Sequence, residues 1–396
     1  MRADSDGGGA RVRDAVNVDL TAQGTLRGRQ GYAQAMPLLN ARSLWPVTWG
    51  GERMAICAAG ADLLLIKEQE GQLQTEVLRS DVRADRPVSV VASDGWAVAT
   101  DGHSNWWIDQ SGARLLGLDA PGAAPALEAS AGGALPGGVY QVLQTYVSAE
   151  GEESPPTAKI SIAVPERGRL VVSSVVESFP ERVAAIRTYM TTQNGEIAYL
   201  VDERRTVGAV LAFAVTPEFG AECATLDLHK MPAGGLVRHY KGRLLVAAGP
   251  LLFRSQSYAY GLHHPVHDFL AFGSPITLVV PVEAGFFVCT DKTYFVRDDF
   301  TSVGVVLPFG AAAGSDFYMD EQELALWYSE RGLVSANAGG EITELQSKNI
   351  VVGKADKART WVREQNGELH AVVCAFDPAT STRAKASTWM QVSVSN

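Results

Sequence analysis

The sequence predicts an all-β fold built from repeated small sheets. One observation behind this prediction is a hairpin that recurs along the chain, in which a glycine precedes a short apolar strand, a tight turn and a second strand. A second is the alternation of apolar and polar residues near both ends, in Val16 to Leu20 and Met390 to Val394, which is the period of strands with one buried face. At 396 residues, one large closed architecture or two domains is expected.

The spacing of the recurring hairpin defines its architecture. The interval from Gly51 to Gly95 is 44 residues and that from Gly242 to Gly285 is 43, and weaker copies begin at Glu323 and Gly367. A repeat of roughly 40–50 residues with about four short strands is typical of a β-propeller blade. We therefore predict about six blades. The alternative is an all-β sandwich or a pair of sheets, in which hairpins recur with less regular spacing.

An insertion interrupts the repeat. From Gly95 to Gly242 there are 147 residues, far more than one blade, and several short strands separated by turns follow residue 135. This pattern predicts a small β-sandwich inside the propeller. We also predict that Val16 to Leu20 joins the C-terminal strands to close the ring of blades. The predicted parts are a flexible N-terminus at 1–10, propeller at 11–134, the inserted sandwich at 135–216 and propeller again at 217–396.

Three segments carry a resemblance to a known family. Residues 14–32 read Asp-Ala-Val-Asn-Val-Asp, then a glycine-containing turn and an arginine-rich return ending in Gly-Tyr; Leu236 to Ser257 and Pro275 to Val296 follow in the same order as in that family. The order resembles the β-propeller tail proteins of bacteriophages, which are the hub and nozzle components of short tails and related tail-tip proteins. It covers most of residues 14–307 and thins toward the C-terminus.

The insertion has a resemblance of its own. The Gly151-Glu-Glu-Ser154 turn followed by Arg187-Thr-Tyr-Met-Thr191 resembles a fibronectin type III domain of the sort that phages insert into tail proteins. The two resemblances imply a structural component of the virion tail. It would be made in the bacterial host cytoplasm and would form a hub, nozzle or tip ring, as a hexamer, around the DNA ejection channel. Its partners would be its own copies and other tail or head–tail connector proteins.

Composition limits the other functions. The net charge is −10 with a pI near 5.3, so the chain offers few cations to phosphate and sequence-specific nucleic-acid binding is not predicted. An acidic wall would suit a conduit through which double-stranded DNA slides without sticking. Neither a signal peptide nor an apolar run long enough to span a bilayer is found in the sequence.

Motifs of catalysis do not stand out in the sequence. It has no Gly-x-Ser-x-Gly elbow, phosphate loop or dinucleotide fingerprint, so we predict a protein without enzymatic activity, cofactor or metal. A propeller glycosidase needs only two carboxylates placed by the fold, and that alternative stays open. The widely spaced Cys57, Cys223, Cys289 and Cys374 are predicted to be small buried hydrophobes.

Five residues are candidates for an interaction surface. Trp106 and Trp107 are adjacent on a predicted strand and face opposite sides, so one is free to stack on a sugar or a neighbouring subunit while the other packs between blades. Burial of both is the alternative. His263, His264 and His267 form a dense cluster, but Pro265 interrupts it, which favours a loop with solvated or inter-subunit histidines over a metal site. A second function therefore stays open, a tail-tip receptor-binding module that recognises a bacterial surface glycan.

Overall fold

The structure is a computed structural model that describes residues 34–208, 210–319, 323–345, 355–365, 368–376 and 388–394, together with four short strands before residue 34. All regular elements in these ranges are β-strands. The short strands form two hairpins, β1 (Ala3–Asp4) with β2 (Arg11–Val12) and β3 (Val18–Leu20) with β4 (Leu26–Gly28). The hairpin predicted at this end of the chain is thus confirmed. Of the predicted flexible residues 1–10, all but Ala3–Asp4 lie outside the described residues.

The first two blades are four-stranded antiparallel sheets. A glycine with positive φ stands at the turn into the second strand of each blade, Gly51 at 83° and Gly95 at 83°, which is a conformation that residues with a Cβ rarely adopt. This requirement is why glycine marks the repeat. Blade 1 contains β5 (Ala41–Trp49), β6 (Glu52–Ala59), β7 (Asp62–Gln69) and β8 (Gln72–Arg79), and blade 2 contains β9 (Ser89–Ser93), β10 (Trp96–Thr100), β11 (Asn105–Asp109) and β12 (Gly112–Leu115).

A seven-stranded β-sandwich is inserted after blade 2. Its sheets have the orders β13-β16-β19 and β15-β14-β17-β18 and enclose an apolar core that includes Leu135, Tyr140, Leu170 and Met190. The strands are β13 (Ala126–Leu135), β14 (Gly138–Ser148), β15 (Ile160–Val164), β16 (Gly168–Ser173), β17 (Val183–Thr191), β18 (Ala198–Arg204) and β19 (Val210–Phe213).

The start of the sandwich corrects the predicted domain boundary. We expected the first part of the propeller to run to residue 134 and the insertion to begin at residue 135. Residues 126–135 instead form β13, which pairs with β16 and places Leu127 and Leu135 in the core of the sandwich. Small residues have low β-propensity, and the pairing with β16 supplies the order that the local sequence lacks. The insertion therefore begins at Ala126.

Three further four-stranded sheets and one three-stranded sheet complete the propeller. Blade 3 contains β21 (Leu236–Tyr240), β22 (Arg243–Ala248), β23 (Leu251–Arg254) and β25 (Phe269–Ala271), beside a small pair of β20 (His229–Lys230) and β24 (Leu262–His263). Blade 4 contains β26 (Leu278–Val282), β27 (Gly285–Cys289), β28 (Thr293–Arg297) and β29 (Val303–Leu307). Blade 5 contains β30 (Phe317–Met319), β31 (Leu324–Ser329), β32 (Gly332–Ala336) and β33 (Ile342–Glu344), and blade 6 contains β34 (Lys357–Gln365), β35 (Glu368–Phe376) and β36 (Thr388–Val394).

The chain is therefore an all-β, six-bladed propeller with an inserted β-sandwich, as the repeat predicts. All six copies of the repeated hairpin coincide with the middle of a blade. The apolar cores lie between neighbouring blades: Trp106 packs between blades 1 and 2, Trp327 between blades 4 and 5, and Tyr328 between blades 5 and 6. Cys289 lies in the core between blades 4 and 5, and Cys57 lies on the other face of blade 1, with Leu64 and Ile66. Burial is confirmed for Cys57, Cys223 and Cys289, whereas Cys374 is only partly buried.

The described strands do not close the ring in the way predicted from the two ends of the sequence. Among the described pairings β3 bonds to β4, and blade 6 contains three strands without β3. Within the described residues, blades 6 and 1 meet at the axis, where Arg359 lies 5.0 Å from the ring centroid of Trp45.

Candidate functional site: the axial mouth

The first strands of all six blades begin around one cavity. Its volume is about 800 Å³, and its lining comes from the amino ends of β5, β9, β21, β26 and β34 and from the segment just before β30. We call this cavity the axial mouth. Pockets of several hundred Å³ with a few convergent polar groups are where small ligands bind in proteins. The mouth is the one cavity among those found in the described residues to which every blade contributes.

Hydrogen bonds between neighbouring blades hold the rim of the mouth together. Trp45 Nε1 donates to the carbonyl of Val88 at 2.9 Å, which joins blades 1 and 2, and Thr277 Oγ1 donates to the carbonyl of Ala311 at 3.0 Å, which joins blades 4 and 5. Arg359 Nη1 donates to the carbonyl of Gly314 at 3.1 Å, which joins blades 6 and 5. The groups at the rim are thus fixed by the fold before any ligand arrives.

Arg238 crosses the axis and connects four blades. Its guanidinium donates through Nε to Asp316 Oδ2 of blade 5 at 3.0 Å and through Nη1 to Ser89 Oγ of blade 2 at 3.2 Å. Its Cζ also lies 5.6 Å from the ring centroid of Trp45 in blade 1. Arg238 is 7% exposed, so its ion pair with Asp316 is largely shielded from water and is reinforced by charge-assisted hydrogen bonds. The ion pair of Arg238 and Asp316 therefore lies across the axis.

The mouth is basic although the chain is acidic. Five cationic side chains line it together with one carboxylate, that of Asp85, and the second nearby carboxylate, Asp316, is bonded to Arg238. The cations are Arg42, Arg86, Arg238, Lys357 and Arg359. Net charge is a sum over the whole chain, so an acidic chain can still gather its arginines at one surface.

The cations of the mouth differ in how far they are already engaged. Arg42 donates from Nε to the carbonyl of Arg86 at 2.7 Å and from Nη2 to that of Arg83 at 2.6 Å, so its position is fixed while its charge stays unneutralised. Burial lowers the pKa of Arg359, an effect that Asp316 opposes and Arg238 reinforces. Within the described residues Lys357 and Arg359 form no ion pair, and Arg86 is 3.7 Å from the exposed Asp85. Three positive charges therefore exceed the local carboxylates.

Both tryptophans proposed as an interaction surface lie inside the propeller. Trp106 is 1% exposed in the core between blades 1 and 2, which rules it out as a surface for a partner. Trp107 faces the other way, into the junction with blade 3, where its ring lies 5.0 Å from that of Trp96 and 5.8 Å from that of Tyr260. The opposite faces predicted for the pair are confirmed. Both faces are blade interfaces, because a blade in a ring has a neighbour on each side.

The histidines form a loop at the edge of blade 3. His263 is 7% exposed, and burial lowers its pKa. His264 and His267 stack at 4.5 Å between ring centroids, and His264 Nδ1 accepts from the backbone nitrogens of residues 266 and 267. Asp268 anchors the loop by accepting from Arg254 at 2.8 Å and from the His264 nitrogen at 2.9 Å. His267 is exposed and His263 is not, so the three do not form one surface.

Neither a metal site nor a membrane-spanning helix is found among the described residues. Within the described ranges, no group of three or more His, Cys, Asp and Glu side chains is placed to hold a metal ion. The described residues likewise contain no helix of the length and apolar composition that would cross a bilayer.

The two sequence motifs of the sandwich meet around one carboxylate. Glu153, from the Gly-Glu-Glu-Ser turn, accepts hydrogen bonds from Arg187 Nη1 at 2.8 Å and from the Tyr189 hydroxyl at 2.7 Å, both on β17. The adjacent Glu152 accepts from Arg182 at 2.6 Å, and Arg182 also donates to the carbonyl of Leu115 in blade 2. The turn therefore fixes the core of the sandwich and its attachment to the propeller.

Comparisons with known proteins add little to this geometry. No protein-family model matches the chain, and no curated protein matches it significantly. Among solved structures, Sqt1 of Saccharomyces cerevisiae aligns over 86% of this chain and 97% of its own at 9% identity, with a TM-score of 0.25. The AfRom2 CNH domain aligns over 86% of this chain and 91% of its own at 8% identity, with a TM-score of 0.27. Likenesses of this size carry no argument about function.

Proposed function

We propose that the chain is a structural subunit of a bacteriophage tail, in which identical copies form a hub, nozzle or tip ring around the path of DNA exit. The resemblance of residues 14–307 to phage tail propellers supports the proposal, and so does the rigid attachment of the sandwich to blade 2. The observation that carries it is an open and uncharged strand edge at the rim of the propeller.

That edge belongs to β29, the outermost strand of blade 4. Val303 is 42% exposed, Val305 is 57% exposed and Val306 is 41% exposed, and the strand contains no charged residue. An edge strand of this kind is a template for pairing with another chain, and proteins that stay monomeric protect such edges with charges. Of the other outermost strands, β8, β12 and β33 carry charges, namely Glu76 and Arg79, Arg114 and Glu344. The outermost strand β25 of blade 3 is uncharged but only three residues long, and β36 of blade 6 contains no charged residue.

A ring of identical subunits needs two different contact surfaces on each subunit. The sandwich offers a second uncharged edge at β19, where Val210 is 58% exposed and the following Val215 is 62% exposed. Val175 and Val207, exposed by 46% and 39%, extend the same apolar surface. We propose that the β29 edge of one copy contacts the β19 edge of the next, which is a heterologous contact that closes into a ring.

DNA would pass through the lumen of this ring and not through the propeller itself. The axial mouth has a volume of about 800 Å³, and the ion pair between Arg238 and Asp316 crosses the axis beneath it. A duplex whose major groove alone is about 12 Å wide does not fit such a cavity. We propose that acidic residues of the chain line this lumen, where their charge would let DNA slide along the assembled wall without sticking.

Oligomer size tests the ring contact. A lysine in place of Val305 puts a charge into the proposed contact, whereas Val77→Lys is a matched control, because Val77 is also 57% exposed on an outermost strand. We expect the full chain and Val77→Lys to form a ring in light scattering and in negative-stain images, and Val305→Lys to remain monomeric with an unchanged melting temperature. A full chain that stays monomeric at high concentration would argue against the proposal.

A further inference from the structure

We propose that the axial mouth binds a small phosphorylated molecule. The inference starts from the imbalance of charge described above. Five cations line one cavity, and within the described residues Arg42, Lys357 and Arg359 form no ion pair, while Arg86 lies 3.7 Å from Asp85. Gathering like charges costs electrostatic free energy, and in a chain of net charge −10 the arrangement is not a by-product of general basicity.

The number of excess positive charges favours a phosphate group over a single carboxylate as the ligand. A phosphate monoester carries about −1.5 to −2 charges at neutral pH and three acceptor oxygens, which match three excess positive charges. Guanidinium groups bind such oxyanions through paired N–H donors, and lysine adds a point charge. The Arg359 guanidinium is held in place by the carbonyl of Gly314 and by the ring of Trp45 at 5.0 Å, so its remaining donors are oriented in advance.

The remaining wall suits the body of a small molecule. Val88, Leu236 and Ile276 contribute apolar surface, and Ser89 contributes a hydroxyl that already contacts Arg238. A phosphorylated sugar or a mononucleotide has this combination of groups and fits about 800 Å³.

The test measures ligand-induced stabilisation of the full chain. Inorganic phosphate, glucose 6-phosphate and adenosine monophosphate are the probes, with glucose and adenosine as their uncharged counterparts. We expect a saturable rise in melting temperature with the phosphorylated probes alone, and a weaker effect at high salt. A response to inorganic phosphate that equals the others would assign the site to the phosphate group alone. A larger rise in melting temperature with one organic phosphate would identify the organic group that the apolar wall of the mouth selects.

Charge reversal locates the site. Arg86→Glu with Lys357→Glu replaces two exposed cations whose side chains make no described hydrogen bond to a neighbouring blade, and the backbone bonds of both residues stay available, so the fold is retained. Arg205→Glu on the sandwich is the control. Because each charge-assisted contact contributes to the free energy of binding, we expect the double variant to bind the phosphorylated probes at least about tenfold more weakly. Equal binding by the parent, the control and the double variant would overturn the proposal, as would the absence of any response at millimolar probe. Neither result depends on whether the chain forms a ring.

Discussion

Removal of the Glu153 carboxylate should destabilise the inserted sandwich selectively. Its side chain is 12% exposed, and it accepts hydrogen bonds from Thr145 at 2.5 Å, Tyr189 at 2.7 Å and Arg187 at 2.8 Å. Glu153→Ala leaves the Tyr189 hydroxyl and one face of the Arg187 guanidinium without a partner in a largely buried position. Breaking one side of a buried ion pair costs about 3–5 kcal/mol.

The lower end of that range applies here. Arg187 keeps a second partner, because its Nε donates to Glu203 at 2.8 Å, and its own side chain is 27% exposed. We therefore expect Glu153→Ala to lower the free energy of unfolding of the sandwich by about 3 kcal/mol. Glu153→Gln keeps an acceptor oxygen and should cost about 1–2 kcal/mol. Glu203→Ala is the control: Glu203 contacts the same arginine but is 38% exposed, so its loss should cost less than about 1 kcal/mol.

Hydrogen exchange of the full chain measures these differences. Amides of β14 and β17 report on the sandwich, and amides of β27 in blade 4 serve as an internal reference. We expect the opening free energy of the sandwich amides to fall by about 3 kcal/mol in Glu153→Ala while those of β27 stay unchanged. Equal effects of Glu153→Ala and Glu203→Ala would refute the argument that burial makes Glu153 the stronger contact. Equal loss of protection in blade 4 would refute the argument that the Glu153 contacts stabilise the sandwich selectively.

Two predictions concern pH. Burial and the hydrogen bond to Glu153 raise the pKa of Tyr189 above its ordinary 10.0. The contribution of Tyr189 to stability is therefore complete below pH 10 and is lost as the pH rises further. Tyr189→Phe should reduce the fall in sandwich stability at alkaline pH. Burial of Asp109 is outweighed by hydrogen bonds from Ser111, Arg114 and Trp107, which lower its pKa from 3.8 to about 2. The contribution of Asp109 to stability is present above pH 3.8 and is lost as the pH falls toward 2. Asp109→Asn should therefore lower the free energy of unfolding, measured by calorimetry, by about 1–2 kcal/mol at pH 5 and by much less at pH 2. An unchanged acid profile in Asp109→Asn would contradict this assignment.

The middle of each blade was predictable because its determinants are local. A glycine with positive φ, a short apolar strand and a tight turn are all encoded within about ten residues, and Gly51 and Gly95 at 83° show why the glycine recurs. The strand β13 was missed for the converse reason. Its alanines and glycines carry little β-propensity, and its order comes from pairing with β16, which lies more than 30 residues further along the chain.

The axial mouth was not predictable, because its residues come together only when the ring closes. Trp45, Arg238 and Arg359 belong to blades 1, 3 and 6, and nothing in their local sequence connects them. One signal was present: Arg238 interrupts the apolar strand Leu236-Val-Arg-His-Tyr240, and a charge within an inner strand of a propeller points to the axis. For Trp106 and Trp107 the sequence predicted part of the answer. Alternation along the strand predicted that they face opposite sides, but it did not predict that both sides are covered by neighbouring blades.

The most direct test of the central claim is immunogold labelling of phage particles from a lysate that contains the chain, with an antibody against the purified protein. The account predicts label confined to the tail, and its place at the neck, at the shaft end or at the distal tip would identify the ring as hub, nozzle or tip. Particles without label, with all of the protein free in the lysate, would contradict the claim that the chain is a structural part of the virion.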